Sequence, residues 1–420
     1  MRPLFLWSAE GDLLHLALRF KEAGVPVTLY IHHKPFRDVG AGVVPKTDNP
    51  MPPKNALVLF DGVGHGDLGK VLRQRGQLVI GANPLDKDLE TNRAEGIQIM
   101  REAGITVPPT KSFTSVAGAE TFLEGVDGEW FIKVSGARAD CASTCNADKA
   151  TMLRYLRWVG TQPGDKSFIL QQKVDGVEVS TNGWFDGQRF VPPFDGTFED
   201  KKLLAGDLGP RTGCEANVVW LHGPTATLPA ETVERITGVL ATHGYVGPID
   251  LNAIVAKDGT VYGLEWTARL GFDATQAWRR FFGAKELAGQ LEAFATGDLH
   301  RWEIPEPKHL AVTLRVSIPP YPDSSTQECA KMSGFPLDQR WLSDDRFDPS
   351  DVKRGDGGPV LAGTSGCVGV VGAIGPTFRP LLDDVRDIAD SLRTPGKQYR
   401  IDPLERAEAD WKTLRGLGKL

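Results

Sequence analysis

Short apolar runs alternate with amphipathic stretches at the start of the chain. Residues 4–7 read as a buried strand, residues 13–23 carry Leu14, Ala17 and Leu18 at helical spacing before Gly24, and residues 25–31 read as a second strand. This is a βαβ unit, which the apolar runs 56–60 and 78–80 extend into a parallel sheet. A helix follows with Ala94, Ile97, Met100 and Ala103 on one face and Gly104 past its end; Pro108 and Pro109 then break the chain. Residues 131–134 and 168–171 read as strands flanking a helix whose apolar face holds Met152, Leu153, Leu156 and Val159. With residues 177–185 they suggest a small β-rich subdomain able to move as a lid. Residues 206–213 read as a Gly-rich loop and 229–243 as a helix ended by Gly244. Beyond the boundary at Ile304-Pro305-Glu306-Pro307, strands are expected near 312–318 and 366–372, and a helix through Leu382, Val385, Ile388 and Leu392.

One hairpin carries chemistry. Residues 249–252 read as a strand, Asp258-Gly259 as its turn and residues 260–266 as the returning strand, which sets Asp250 and Glu265 on neighbouring strands. Mg²⁺ prefers hard oxygen ligands completed by phosphate oxygens, so this pair is a candidate metal site, with Asn252 two residues along the same strand. Either carboxylate alone would read as a solvated surface group. A cation upstream, Lys133, sits on a strand among apolar neighbours, where an ammonium needs an anionic partner.

Composition narrows the class without naming it. The chain has 420 residues, enough for two or three domains, and its 41% hydrophobic and 24% charged content is that of a soluble globular protein. A net charge of −6 gives no basic field for general nucleic-acid binding. No stretch approaches the ~20 apolar residues of a spanning helix, and the start of the chain does not read as a signal peptide. The 5 cysteines, an odd number, fit a reducing, cytoplasmic setting; Cys141 and Cys145, with no nearby histidine, read as idle thiols.

The order of the segments resembles the ATP-grasp superfamily and, within it, the phosphoribosylamine–glycine ligases. The matching pieces are Leu89-Glu90-Thr91-Asn92-Arg93, Phe131-Ile132-Lys133, Asp175-Gly176-Val177-Glu178, Lys201-Lys202 with the 206–213 loop, Glu265-Trp266-Thr267-Ala268-Arg269, and Tyr399-Arg400-Ile401-Asp402. The resemblance implies an α/β (α+β) fold: an N-terminal βαβ domain (1–91), an ATP-grasp core (92–305, with a lid at about 113–185) and a small C-terminal α/β domain (306–420). It implies ATP and Mg²⁺ (or Mn²⁺) as cofactors, a small-molecule carboxylate and amine as substrates, and a monomer or homodimer. On this resemblance Arg93, Lys133, Gln171, Lys173, Val174, Glu178 and Lys201 bind the nucleotide. Asp250, Asn252, Glu265 and Thr267 hold metal, and Lys133, Asp207 and Arg269 act in catalysis.

The sequence also departs from the family. Residues 135–141 keep one glycine where the lid loop is glycine-rich, with Arg138 as a substitute positive charge; Thr267 stands where asparagine is usual, and Arg93 where lysine is. The N-terminal turn, usually a glycine-rich phosphate loop, reads Trp7-Ser8-Ala9-Glu10-Gly11-Asp12, and two carboxylates there would repel a ribose phosphate. A ligase with a different acceptor is therefore expected. The alternatives are a catalytically weakened nucleotide- or partner-binding relative and a true phosphoribosylamine–glycine ligase.

Overall fold

The computed structural model describes residues 1–134, 144–146, 148–161, 167–303, 305, 309–324 and 326–420. The expectation for the 135–141 loop, including Arg138 and Cys141, lies outside the described residues.

The N-terminal pattern folds as a five-stranded parallel sheet in the order Lys46–Thr47, Val27–Ile31, Leu4–Ser8, Leu57–Phe60, Leu78–Ile80. Every residue of Leu4–Ser8 is buried, because both faces of a parallel sheet are covered. Leu4 and Leu6 pack into one core while Phe5 and Trp7 pack into another. The helix Leu14–Glu22 ends at Gly24, whose φ of 72° suits a residue without a Cβ.

The helix Arg93–Glu102 is capped by Asn92, whose side chain accepts from the Glu95 amide at 3.3 Å. Next comes a four-stranded antiparallel sheet in the order Thr110–Phe113, Phe168–Gln172, Trp130–Val134, Thr144–Asn146. Trp130 and Ile132 pack with Ala119, Leu123, Met152 and Leu156 of the helices Val116–Glu124 and Lys149–Thr161. Strand alternation therefore turns Phe131 and Lys133 to the opposite face.

The largest sheet has eight strands in the order Val261–Thr267, Gly247–Ala256, Gly176–Phe185, Phe190–Leu204, Leu208–Leu221, Leu310–Ser317, Cys367–Gly375, Phe347–Pro349. It runs through position 305, since Leu208–Leu221 pairs with Leu310–Ser317.

Three elements differ from the sequence reading. The strand expected at 177–185 in the small subdomain instead pairs along its whole length with Gly247–Ala256, burying Val177 and Val179 in the main core. The 206–213 loop is mostly the start of Leu208–Leu221, and the turn itself is the short 3₁₀ segment Ala205–Asp207 with Gly206 at φ 67°. The helix expected at 229–243 is three short pieces, Leu228–Glu231, Val233–Ile236 and Thr237–Thr242, broken at Thr232 with φ −123° and ψ −104°. No helix among the described residues is long and apolar enough to cross a membrane.

Candidate active site

A cleft opens between the cleft face of the four-stranded sheet and the first strands of the eight-stranded one. Of the residues expected at the site, Arg93, Lys133, Gln171, Lys173, Val174, Glu178, Lys201, Asp250, Asn252, Glu265, Thr267 and Arg269 all line it. Asp207 does not. It sits at the exposed turn and accepts from Arg400 at 2.9 Å, because the two strands flanking it carry the turn away from the cleft.

The register on the cleft wall differs from the expected pairing of Asp250 with Glu265. Glu265 lies opposite Asn252, and Asp250 opposite Thr267. The sheet thus presents two parallel rows, Glu265, Asn252, Ser180, Thr197 and Thr267, Asp250, Asn182, Asp195.

The two carboxylates meet opposite electrostatics. Glu265 pairs with Arg93, and Lys201 lies 4.0 Å away. Burial raises its pKa, but Arg93, Lys133 and Lys201 more than offset this and hold the carboxyl well below its usual range. Asp250 is pushed well above the usual carboxylate range by burial and by Glu199 and Asp195, and its Oδ1 is buried with no hydrogen-bond partner.

The cations respond in kind. Lys201 sits 3.5 Å from Glu178 and 3.4 Å from Glu199 and donates to Asn252 Oδ1 at 3.2 Å. Burial opposes its charge, yet these carboxylates with Glu265 raise its pKa above the ordinary lysine value. Lys133 is lowered to about 8, first by burial and then by Arg93 and Lys201, against the pull of Glu265 and Glu178.

At the rear of the cleft Arg269 is held by Glu90, whose Oε1 accepts from Arg269 Nε at 3.0 Å while Oε2 accepts from the Ala268 amide at 2.9 Å. Its guanidinium lies 4.0 Å from the centre of the Phe272 ring. At the hinge, Lys173 pairs with Glu129 at 2.6 Å and Gln171 Nε2 donates to Thr110 at 3.2 Å. Glu90, Glu199, Arg211 and Phe272 also line the cleft and were not singled out from the sequence. For Glu199 a signal existed: Glu199 and Lys201, two apart, share a strand face.

The N-terminal turn is occupied by its own side chains. Ser8 donates to Asp61, the Ala9 amide donates to Asp61 Oδ1 at 2.9 Å, and the Gly11 amide to Ser8 Oγ at 2.7 Å. Burial pushes Asp12 up to about 6 and Asp61 up to about 7; Arg269 is among the charges that pull both back down. These amides are committed inward, and the acids Glu10, Asp12 and Asp61 gather around them within the field of Arg269 and Arg315.

The donor set fits a divalent cation of the Mg²⁺ kind. Glu265, Asp250, Asn252 and Thr267 offer hard oxygens on one wall, where Asp250 Oδ1 has no hydrogen-bond partner among the described residues, Glu265 is paired with Arg93, and Asn252 Oδ1 accepts from Ser180 and Lys201. Two carboxylates suffice when phosphate oxygens complete the shell.

No family model matches the chain. It is 26% identical over 351 residues to a phosphoribosylamine–glycine ligase of Leifsonia xyli subsp. xyli, covering 80% of each chain. Its structure is similar to that of the phosphoribosylamine–glycine ligase of Thermotoga maritima, with a TM-score of 0.71 at 18% identity, covering 96% of this chain and 100% of that one. An L-amino acid ligase from Bacillus licheniformis gives a TM-score of 0.58 at 16% identity over 93% of this chain and 98% of its own. With the paired strands of the cleft wall and the four-stranded sheet facing them, these similarities show that the chain shares its fold with the Thermotoga maritima ligase and is similar in sequence to phosphoribosylamine–glycine ligases.

Proposed function

We propose that the protein is an ADP-forming carboxylate–amine ligase whose acceptor is not phosphoribosylamine. The observation that carries this reading is the convergence of Lys133, Arg93, Lys201, Arg269 and Glu265 on one cleft. In the reaction a carboxylate oxygen attacks the γ-phosphorus of ATP and the bond to the β–γ bridging oxygen breaks, giving an acylphosphate and ADP. The amine nitrogen then attacks the acyl carbon, phosphate leaves, and the nitrogen releases its proton. Lys133 and Arg269 stabilise charge on the phosphoryl oxygens and orient the attacking carboxylate, and Glu178 receives the ribose hydroxyls. Glu265 and Asp250, with Asn252 and Thr267, would hold Mg²⁺ or Mn²⁺, which supplies charge neutralisation at the phosphates.

The filled amides and acidic surroundings of the N-terminal turn support an acceptor without a phosphate there. The experiment is release of ADP and phosphate by purified protein with Mg-ATP over a panel of carboxylates and amines that includes glycine with phosphoribosylamine. Turnover on one pair, abolished in Glu265→Ala, is expected; undiminished turnover by that variant refutes the metal role of Glu265. Turnover with phosphoribosylamine refutes the acceptor reading. A second reading, nucleotide binding without ligation, is favoured by Thr267 and by the pairing of Glu265 with Arg93. It predicts calorimetric binding of Mg-ATP with no phosphate release on any pair.

A further inference from the structure

Beyond the nucleotide cleft lies a second, smaller pocket that shares Glu199, Asp250 and Gly271 with it. Its floor is the row Asp250, Asn182, Asp195 on three adjacent strands, and its walls include Trp184, Trp278 and Leu270. Of the two acids in this floor, Asp250 belongs to the cleft, where Lys201 acts on it, while Asp195 has no cation against it among the described residues. Asp195 is 3% exposed and has one hydrogen bond, Oδ2 accepting from Asn182 at 2.7 Å. It forms no ion pair with any described residue, and burial pushes its carboxyl up to about 7 against the hydrogen bond from Asn182. Glu199, by contrast, is already matched by Lys201 at 3.4 Å.

A carboxylate in a largely buried pocket without a counter-charge is costly, and a cation brought by a ligand removes that cost. The walls suit the rest of such a ligand. Trp184 and Trp278 stack with ring centres 5.3 Å apart, offering flat apolar surface beside an ammonium and its stem. Trp184 is 2% and Trp278 is 6% exposed, and both indole N–H groups are buried without a partner among the described residues. Leu270, Pro248 and Ala274 complete an apolar lining.

We propose that this side pocket seats the non-reacting, protonated amine of a small alkyl-ammonium substrate, held by Asp195 with its stem against Trp184 and Trp278. The reacting end reaches back past Asp250 and Gly271 into the nucleotide cleft. A protonated amine is not a nucleophile, so the anchored end is an address and not the attacking group. The inference rests on the ligase reading for its place in the reaction, but the pocket's charge preference is testable without turnover.

The test is calorimetric titration with three probes of one stem length, butylammonium, 1-butanol and butyrate, with Mg-ATP titrated in parallel. Butylammonium is expected to bind at least tenfold more tightly than either other probe. Asp195→Asn is expected to lose at least tenfold in butylammonium affinity while keeping its Mg-ATP affinity, and Asp195→Glu to recover part of the loss. Equal binding of 1-butanol, preference for butyrate, or wild-type butylammonium affinity in a folded Asp195→Asn overturns the proposal. The comparison of probes on the wild-type protein decides even if the variant does not fold. Butylammonium binding without Mg-ATP binding sinks the ligase reading alone; Mg-ATP binding without butylammonium binding sinks the pocket alone.

Discussion

An ammonium on the inner face of a strand has to be stabilised by something, and at Lys133 water does only part of that work. Burial lowers its pKa to about 8, so half of the free protein carries a neutral Lys133 near that pH. If phosphates are its partners, ATP favours the charged form and binding takes up a proton above pH 8. Mg-ATP affinity is then expected to fall by up to about tenfold per pH unit above 8, until the raised pKa of the complex is passed. Lys133→Met is expected to lose a charge-assisted hydrogen bond of about 1.5–3 kcal/mol, roughly 10- to 100-fold in affinity, and to flatten the profile. Calorimetry between pH 7 and 9 checks both, and a variant with the wild-type slope would remove Lys133 from the phosphate site. Lys133 was legible because an ionisable residue inside an apolar run is conspicuous. Glu199 was not, since its strand Phe190–Leu204 is interrupted by Pro192 and Pro193 and by Gly196, which hid the alternation. Asp207 misled because a Gly-flanked polar residue has the same signature in a hairpin turn as in a binding loop.

Elements were recovered where periodicity was strong and lost where packing overrode local preference. The strand Leu4–Ser8 and the helix Arg93–Glu102 could be read from their apolar spacing. Which sheet the strand Gly176–Phe185 joins could not, because alternation reports a buried face and not the neighbour across it. The same limit applies to register: a strand pattern places Asp250 and Asn252 on one face but does not say which of them meets Glu265. The close fit of Arg93–Glu102 to the cleft wall supplies a test at this scale. Trp266 Nε1 donates to the Gly96 carbonyl at 3.1 Å, and a Cβ on Gly96 would stand 2.5 Å from the Leu89 carbonyl and 3.4 Å from the Trp266 ring. Backbone cannot yield as a side-chain tip does, so the helix must shift and carry Arg93 off Glu265. Gly96→Ala is expected to destabilise the protein by about 1–3 kcal/mol and to weaken Mg-ATP binding as well. A melting temperature and ATP affinity matching the wild type would show that Arg93 is positioned by other means.

The molecule is tied together by buried charge as well as by its cores. Asp348, on the edge strand Phe347–Pro349, is fully buried and meets Arg279 at 2.6 Å, Arg280 at 2.7 Å and Arg19 at 4.0 Å. Arg19 belongs to the N-terminal helix and also donates to the Phe347 carbonyl at 2.6 Å, so one carboxylate links the start of the chain to the far edge of the eight-stranded sheet. Nothing in the local pattern around residue 348 announces this, because Arg279 and Arg280 lie 69 and 68 positions away and Arg19 lies at the other end of the chain. Burial alone would raise the pKa of Asp348, but Arg279 and Arg280, with His15 and Arg19, bring it below the usual 3.8. A carboxyl with a depressed folded-state pKa stabilises fully above its unfolded value, and that contribution is lost as pH falls through the folded one. Asp348→Asn leaves the arginines without their counter-charge and is expected to cost about 3–5 kcal/mol at neutral pH. The difference between wild type and variant should shrink as pH falls below about 4, where the carboxyl of the unfolded chain begins to protonate while the native one stays charged to lower pH. Urea unfolding at pH 7 and near pH 3 measures both quantities. A gap that stays constant across that range would mean that Asp348 acts through its hydrogen-bonding shape and not through its charge.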